Sequence, residues 1–193
     1  MSNRFTKKLA NRQAIMKAAA QEFKKKGFAD TAVADIMNTA GLGVGTFYNY
    51  FESKEEALMA IVKELFKQVE ENVKSMAREN SSTLALLEFC SMSTARLIDE
   101  NRFILPMFKS AIERSDKPEN LPKNLSPEFK KIFEEIIQRG QSLNEIRRDI
   151  PIDIISEMFH SIYQAAALSK LNIPFQENIR LKIKILLDGI KND

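Results

Sequence analysis

The chain has 193 residues, enough for one compact domain or for a small domain followed by a larger one. Hydrophobic residues make up 44% of it, which excludes a disordered chain, and the single cysteine, Cys90, excludes an internal disulfide and a metal site of paired cysteines. The N-terminus is polar and basic, and no apolar run approaches the roughly 18 residues of a membrane span, so we expect a soluble cytoplasmic protein.

The first helix is predicted from about residue 6 to residue 26. Its apolar residues Ile15, Ala19 and Phe23 recur at helical spacing, and Gly27 ends the pattern. We therefore expect one face of this helix to be buried.

Two short helices follow, over about 31–39 and 44–50. Thr31 is expected to cap the first of them, and Ile36 lies on its predicted buried side with Val33 and Met37. Gly41 is free to adopt the positive φ of a tight turn between the two helices. Phe47 and Phe51 are four residues apart and predict the buried face of the second.

The rest of the chain also shows helical patterns, without a convincing strand. Ser53 and Glu56 form a capping box that opens a long helix, and Pro127 after Ser126 is typical of another helix start. A loop is predicted over 116–125 and a connector over 141–151. The predicted helices cover about 53–80, 83–100, 102–115, 126–140, 152–171 and 176–190.

The charge is unevenly distributed along the chain. Residues 1–54 contain nine Lys or Arg and four Asp or Glu, whereas residues 55–193 contain twenty and twenty-two. A basic N-terminal quarter on a nearly neutral body is typical of a protein that binds an anionic partner, such as nucleic acid, at one end. A solvated basic helix face is the alternative that charge alone leaves open.

Two short helices joined by a glycine turn and preceded in the chain by a longer helix are typical of a helix-turn-helix. The segment from Asn11 to Leu58 also contains, in order and without a gap, a characteristic set of residues: Arg12, Ile15, Ala18, Ala19, Phe23, Gly27, Thr31, Val33, Ile36, Ala40, Gly41, Val44, Gly45, Thr46, Phe47, Tyr48, Tyr50, Phe51, Ser53, Lys54, Glu55 and Leu58. In these residues and their spacing the segment resembles the TetR/AcrR family of bacterial transcriptional regulators. The resemblance implies an all-α fold, with an N-terminal three-helix helix-turn-helix DNA-binding domain over 1–53 and a larger helical effector-binding and dimerisation domain over 54–193.

The second short helix is the predicted DNA-reading element. In helix-turn-helix docking its N-terminal part enters the major groove, and here that part is Val44, Gly45 and Thr46. Gly45 permits a close approach of the backbone, and the Thr46 methyl can touch a thymine methyl. Asn49, one turn further, is a candidate for bonding adenine or a phosphate.

Other side chains are expected to contact phosphates. Tyr48 follows the buried Phe47 and should point outward, and in the family this tyrosine contacts the DNA backbone. Tyr50 is expected to do the same or to pack locally. Thr31 and Lys54, each at a helix start where amides attract anions, complete the predicted DNA-binding set, with Lys7 and Lys8 near flanking phosphates.

This segment departs from the family pattern at two positions. Gly43 replaces the usual serine or threonine cap of the reading element, and Met37 replaces a small residue. The glycines around Val44 also resemble a nucleotide-binding loop, but that motif needs a preceding strand and a different glycine spacing.

Family members pair through their last two helices, so the resemblance predicts a homodimer formed through about 152–190. A stripe of Ile179, Ile183, Leu186 and Ile190, with small residues at 165–167, fits this contact. Packing inside the monomer is the alternative for part of the stripe.

The body also contains many Phe and Met side chains, which are suited to an adaptable apolar cavity. We expect an unidentified small apolar or amphipathic effector there, although each residue alone is as well explained by core packing. The candidate pocket residues are Phe89, Met92, Phe103, Met107, Phe108, Phe133, Phe159, His160 and Tyr163, with Ile112, Phe129 and Met158 in the same set.

The sequence favours a ligand-responsive repressor of a palindromic double-stranded DNA operator over two other classes of protein. An enzyme is disfavoured because one His and one Cys leave little material for metal or nucleophilic sites, so we expect no catalytic residue, metal or cofactor. A helical ligand carrier leaves the basic N-terminal quarter unexplained. A repressor is preferred over an activator by resemblance alone.

Overall fold

A computed structural model of the chain describes residues 2–77, 81–106 and 127–192. These ranges form helices and no strand, apart from one isolated antiparallel bridge between Ile146 and Lys191, which confirms the all-α prediction. None of the described helices is long and apolar enough to cross a membrane. The elements are α1 (Ser2–Lys26), α2 (Val33–Ala40), the 3-10 helix Val44–Asn49, here called the reading helix, α3 (Lys54–Ala77), α4 (Thr83–Glu100), a 3-10 turn (Arg102–Ile104), α5 (Pro127–Ser142), α6 (Ile152–Ala167) and α7 (Phe175–Ile190).

The helix boundaries largely follow the sequence pattern. Helix α4 begins and ends where predicted, whereas α1 begins four residues earlier and α6 ends at Ala167 rather than near Leu171. Helix α5 starts at Pro127 as predicted and runs two residues past Gly140. The predicted helix over 102–115 is described only as far as residue 106, and the predicted loop over 116–125 lies outside the described residues.

The chain divides into two compact units, Met1–Glu64 and Leu65–Asp193. The division falls inside α3, about three turns beyond the predicted domain boundary at 53/54. The first turns of α3 belong to the N-terminal unit and are buried there through Ala57, Leu58 and Val62.

The core of the first unit forms from the predicted apolar stripes. Ile15, Phe23, Ile36 and Phe47 are each no more than 1% exposed. Burial of such side chains contributes roughly 1.5–3 kcal/mol each relative to exposure, so this small unit depends on all of them.

In the second unit the four helices α4–α7 form a ring. Helix α4 packs against α5 and α7, and α6 packs against the same two helices. The connector after α5 ties this ring together, because the Glu145 carboxylate accepts from the Thr83 amide and the Arg147 amide donates to the Ile190 carbonyl at the end of α7.

Candidate nucleic-acid interface

Helix α2 and the reading helix are joined by a tight left-handed turn. Gly41 has φ 68°, and the amides of Gly41 and Leu42 donate to the carbonyls of Asn38 and Met37 at the end of α2. A φ of this sign strains most residues other than glycine, so the predicted role of Gly41 is confirmed.

Gly43 begins the reading helix without a side-chain cap. Its carbonyl accepts from the Thr46 amide at 2.9 Å, and its extended backbone is that of an N-cap residue. The reading helix then winds as a 3-10 helix, in which the side chains of successive turns lie almost directly above one another.

The reading helix has one buried and one exposed side. Phe47 is fully buried and its ring lies 5.7 Å from that of Phe51. Tyr48 is 63% exposed and Val44 is 44% exposed, as expected for residues that face outward. Asn49 and Gly45 are also exposed, and Thr46 is half-buried.

Gly45 has open space where a side chain would stand. Apart from its chain neighbours and the nearby helix backbone, no atom of the described residues lies within 4 Å of a Cβ built there, and the backbone has no positive φ. The fold of the unit therefore does not require glycine at this position.

Tyr50 packs locally rather than pointing freely outward. It is half-buried, and its hydroxyl accepts from the Asn11 side-chain amide at 3.2 Å. This bond attaches α1 to the C-terminal end of the reading helix.

The predicted cap at Thr31 is wrong, because Ala32 is the N-cap of α2. The Thr31 side chain is 2% exposed and donates to the Gly27 carbonyl at 2.7 Å. The amide of Ala32 donates instead to the Asp35 carboxylate, which also pairs with Lys26 at 2.8 Å. The hydrogen bond from Lys26 lowers the pKa of Asp35. An acid three residues after the cap was the sequence signal for this arrangement.

Lys54 also has a partner that the sequence did not indicate. Its ammonium donates to the carbonyls of Phe28, Ala29 and Thr31 at 2.7, 3.2 and 2.8 Å, and it lies 4.5 Å from the centre of the Phe28 ring. An ammonium has three hydrogens, so these bonds use its whole donor capacity. The side chains of Lys54 and Thr31 thus stabilise the α1–α2 turn, and neither is left to meet a phosphate in this arrangement.

The capping box at Ser53 forms in part. The Ser53 hydroxyl accepts from the Glu56 amide as predicted. The Glu56 carboxylate, however, accepts from the amide of Glu52, one residue before the expected partner.

The candidate pocket residues of the second unit differ in burial. Phe103, Phe133, Phe159 and Tyr163 are buried, and the rings of Phe133 and Phe159 stack at 5.0 Å. Phe89, Met92 and His160 are half-buried. Met107, Phe108 and Ile112 lie outside the described residues, as does the side chain of Phe129.

Polar groups accompany these rings between α4 and α6. The Tyr163 hydroxyl donates to the Ser91 carbonyl at 3.1 Å. Burial raises the pKa of the nearby Cys90 thiol to about 12, and it lowers the pKa of His160. The cluster is therefore uncharged near neutral pH, as suits a region for an apolar group.

An apolar groove lies along the exposed side of α6 and α7, with a volume of about 500 Å³. Its walls include the exposed side chains of Ile154, Met158 and Ile185. The predicted contact stripe is divided: Ile179 and Ile183 are at most 1% exposed and belong to the monomer core, whereas Leu186 and Ile190 line the groove. Helix α7 thus carries two apolar stripes, and Ile185 with Leu181 marks the outer one.

Two short helices are joined here by a turn at a glycine, and the second helix has one buried and one exposed face. This arrangement is that of a helix-turn-helix DNA-binding protein. Residues 15–61 match the model of bacterial regulatory proteins of the tetR family. The transcriptional repressor DhaR of Mycobacterium sp. strain GP1 is 26% identical over 94% of both chains. The fatty acid metabolism regulator protein of Bacillus subtilis is 24% identical over 92% of this chain and 94% of that one.

The fold is shared with solved structures of the same kind. FadR of Bacillus subtilis, solved in complex with stearoyl-CoA, superimposes with a TM-score of 0.71 at 19% identity, covering 92% of this chain and 98% of that one. Residues 15–61 therefore form a DNA-binding domain of the kind found in bacterial regulatory proteins of the tetR family, and over 94% of its length the chain is similar to an HTH-type transcriptional repressor.

Proposed function

We propose that the protein is a homodimeric repressor that binds a palindromic operator and leaves it when an amphipathic effector binds the second unit. The exposed face of the reading helix carries this proposal. It presents Val44, Gly45, Tyr48 and Asn49, with Thr46 at its edge, around the buried anchor Phe47. Tyr48 is assigned to a phosphate, and Thr46 and Gly45 to the floor of the major groove.

A dimer follows from the size of the reading unit and from the groove. A single short helix contacts few base pairs, whereas two units on a palindrome add their binding free energies. The groove along α6 and α7 is apolar. Among its described lining residues, Lys182 alone is charged. A second copy of the chain is assigned to the groove, which also fits the predicted range of 152–190.

The effector is assigned to the aromatic cluster between α4, α5 and α6. Phe133, Phe159 and Tyr163 offer apolar surface beside a few buried polar groups, the usual composition of a small-molecule site. The complex of FadR with stearoyl-CoA motivates long-chain acyl-CoA thioesters as the first ligands to test. No catalytic activity is assigned, in keeping with relatives that are regulators.

Helix α3 is the assigned connection between effector and DNA, because it runs from the first unit into the second. An effector that prefers one position of α3 changes the spacing of the two reading helices and so lowers operator affinity by linkage. A dimer whose operator affinity is the same with and without every ligand it binds would contradict this mechanism.

The direct test is fluorescence anisotropy with a duplex from upstream of the gene or selected from random DNA. Tyr48→Ala and Thr46→Ala are expected to lose at least about tenfold in affinity, or roughly 1.4 kcal/mol each. Leu143→Ala, an exposed apolar residue of the second unit, is the matched control and should bind as the wild type does. Equal affinity in all four proteins would refute the assigned DNA contacts.

A further inference from the structure

Lys182 brings a positive charge into the otherwise apolar groove along α6 and α7. Its side chain is half-buried, and its ammonium donates to the side-chain oxygen of Asn178, one turn earlier on α7. Asn178 is uncharged and buried, and its own amide donates to the Ser169 hydroxyl at 3.0 Å. Within the described part of the chain, no carboxylate pairs with the Lys182 ammonium, so its charge is not balanced by its own subunit.

A second copy of the chain on the groove removes water from this charge. Burial of a charge is strongly unfavourable unless an opposite charge accompanies it into the apolar surroundings. The hydrogen bond to Asn178 supplies a dipole but no negative charge. A stable contact over Lys182 therefore needs a carboxylate from the other copy.

The acids of α6 and α7 are not equally available for this role. Asp153 and Glu177 each lie within ion-pair distance of a cation of their own subunit, at 3.5 and 2.6 Å. Glu157 and Asp188 are exposed, and neither pairs with a lysine or arginine among the described residues. The choice is therefore between one acid on α6 and one on α7.

The position of Glu157 and the charges of the two helices favour the acid on α6. Glu157 comes one residue before Met158 and one turn before Ser161, and both of these residues line the groove. Helix α6 contains two acids and no lysine or arginine, whereas α7 contains three of these cations and two acids. Opposite charges therefore meet when α6 of one copy lies against α7 of the other.

We propose that Lys182 pairs with Glu157 of the partner subunit, and that this ion pair selects the partner that the groove accepts. The two copies of a symmetric dimer use the same surface, so the pair forms twice. A related regulator without an acid at this place leaves Lys182 buried and unpaired, and the groove therefore discriminates against it. The inference rests on the proposed dimer and adds a basis for the recognition of one copy by another.

The test reverses the two charges one at a time in the full-length protein. Lys182→Glu brings acids together and Glu157→Lys brings lysines together, so sedimentation equilibrium should show each variant dimerising at least about a hundredfold more weakly than the wild type. A mixture of the two variants restores both ion pairs with one partner's charges reversed. Native mass spectrometry of this mixture, with a tag on one variant, should therefore show heterodimers and few homodimers.

Lys184→Glu and Asp188→Lys are the matched controls. Both residues are exposed on α7 and are not among the lining residues of the groove, so these variants should dimerise as the wild type does. If a reversal at Lys182 or Glu157 prevents folding, the neutral variants Lys182→Gln and Glu157→Gln replace it. Their effects on the dimerisation constant should be non-additive, because the two side chains meet.

Folded single variants that dimerise as the wild type does, a mixture of them without heterodimers, or additive effects of the neutral variants would overturn the ion pair and leave the groove contact intact. Loss of the dimer in Asp188→Lys but not in Glu157→Lys would also overturn it, in favour of the acid on α7. A wild-type protein with the mass of one chain would instead refute the proposed dimer, and the ion pair with it.

Discussion

The ammonium of Lys54 holds the turn between α1 and α2 through three carbonyl oxygens. Lys54→Met removes the donor and leaves these carbonyls with poorer partners, so the free energy of unfolding should fall by about 2 kcal/mol. Urea denaturation measures this loss. Lys17→Met, an exposed lysine of α1, is the control and should change stability little.

The same variant distinguishes a structural lysine from a DNA contact. A lysine that binds a phosphate contributes about one to the salt slope of binding, whereas a lysine that only holds a turn contributes nothing. We expect Lys54→Met to retain the wild-type slope at temperatures where it is folded. A decrease in slope without a loss of stability would restore the assignment made from the sequence.

The sequence predicted some side-chain roles and missed others for a physical reason. Phe47 and Tyr48 are neighbours on one helix, so the burial of the first implies the exposure of the second. The partners of Lys54 lie 23 to 26 residues away in an irregular turn, and no periodic pattern encodes such contacts. Thr31 has the residue type of a cap, but tertiary packing buries its hydroxyl against α1.

His160 makes stability depend on pH. Burial lowers the pKa of His160 below its ordinary value of 6.5, while the nearby Glu157 carboxylate opposes the shift. The unfolded chain therefore binds the proton more readily, and the free energy of unfolding should decrease as the pH falls below about 6.5.

This dependence is measured by urea denaturation between about pH 7.5 and about pH 5.5. His160→Gln should remove part of the decrease, and Glu157→Gln should enlarge it because the opposing charge is gone. The same pH dependence in wild type and His160→Gln would show that this histidine is equally basic in the folded and unfolded chain.

Between elements, Gly140 of α5 lies closely against the side chains of Ile146 and Thr83. A Cβ there would stand 2.6 Å from both the Ile146 Cδ1 and the Thr83 Cγ2 atoms. Gly140→Ala should therefore force α5 away from the start of α4 and reduce the free energy of unfolding by about 1–3 kcal/mol, despite the better helix propensity of alanine.

A double-mutant cycle tests the cause of this loss. Ile146→Val removes the Cδ1 atom and alone should cost roughly 0.5–1.5 kcal/mol as a core truncation. In the Gly140→Ala background it should cost less, because it removes one of the three close contacts, while those with the Ile146 Cγ1 and Thr83 Cγ2 atoms remain. If the changes in the free energy of unfolding of the two single variants simply added in the double variant, the close contact between Gly140 and Ile146 would be contradicted.

Helix periodicity identified the elements well but could not choose between their faces. Helix α7 has apolar residues on two sides, and spacing favoured the stripe of Ile179, Ile183, Leu186 and Ile190 for the contact between subunits. Packing of α7 against α4 and α6 buries Ile179 and Ile183, whereas Leu186 and Ile190 line the groove beside Ile185, which is 74% exposed. Long-range packing of this kind is absent from any single helix pattern.

At the scale of the whole molecule, the proposed dimer depends on the apolar groove along α6 and α7. Ile185 is exposed in the single chain, so Ile185→Glu should barely change the folding of one subunit but should place a charge in the middle of an apolar contact. Sedimentation equilibrium should then show one chain rather than two, with operator affinity reduced at least a hundredfold because two reading helices no longer bind together. Leu143 is also an exposed apolar residue but lies outside the groove, so the Leu143→Glu protein should remain dimeric. A wild-type protein with the mass of one chain, or an Ile185→Glu protein that stays dimeric, would mean that the subunits meet elsewhere or not at all.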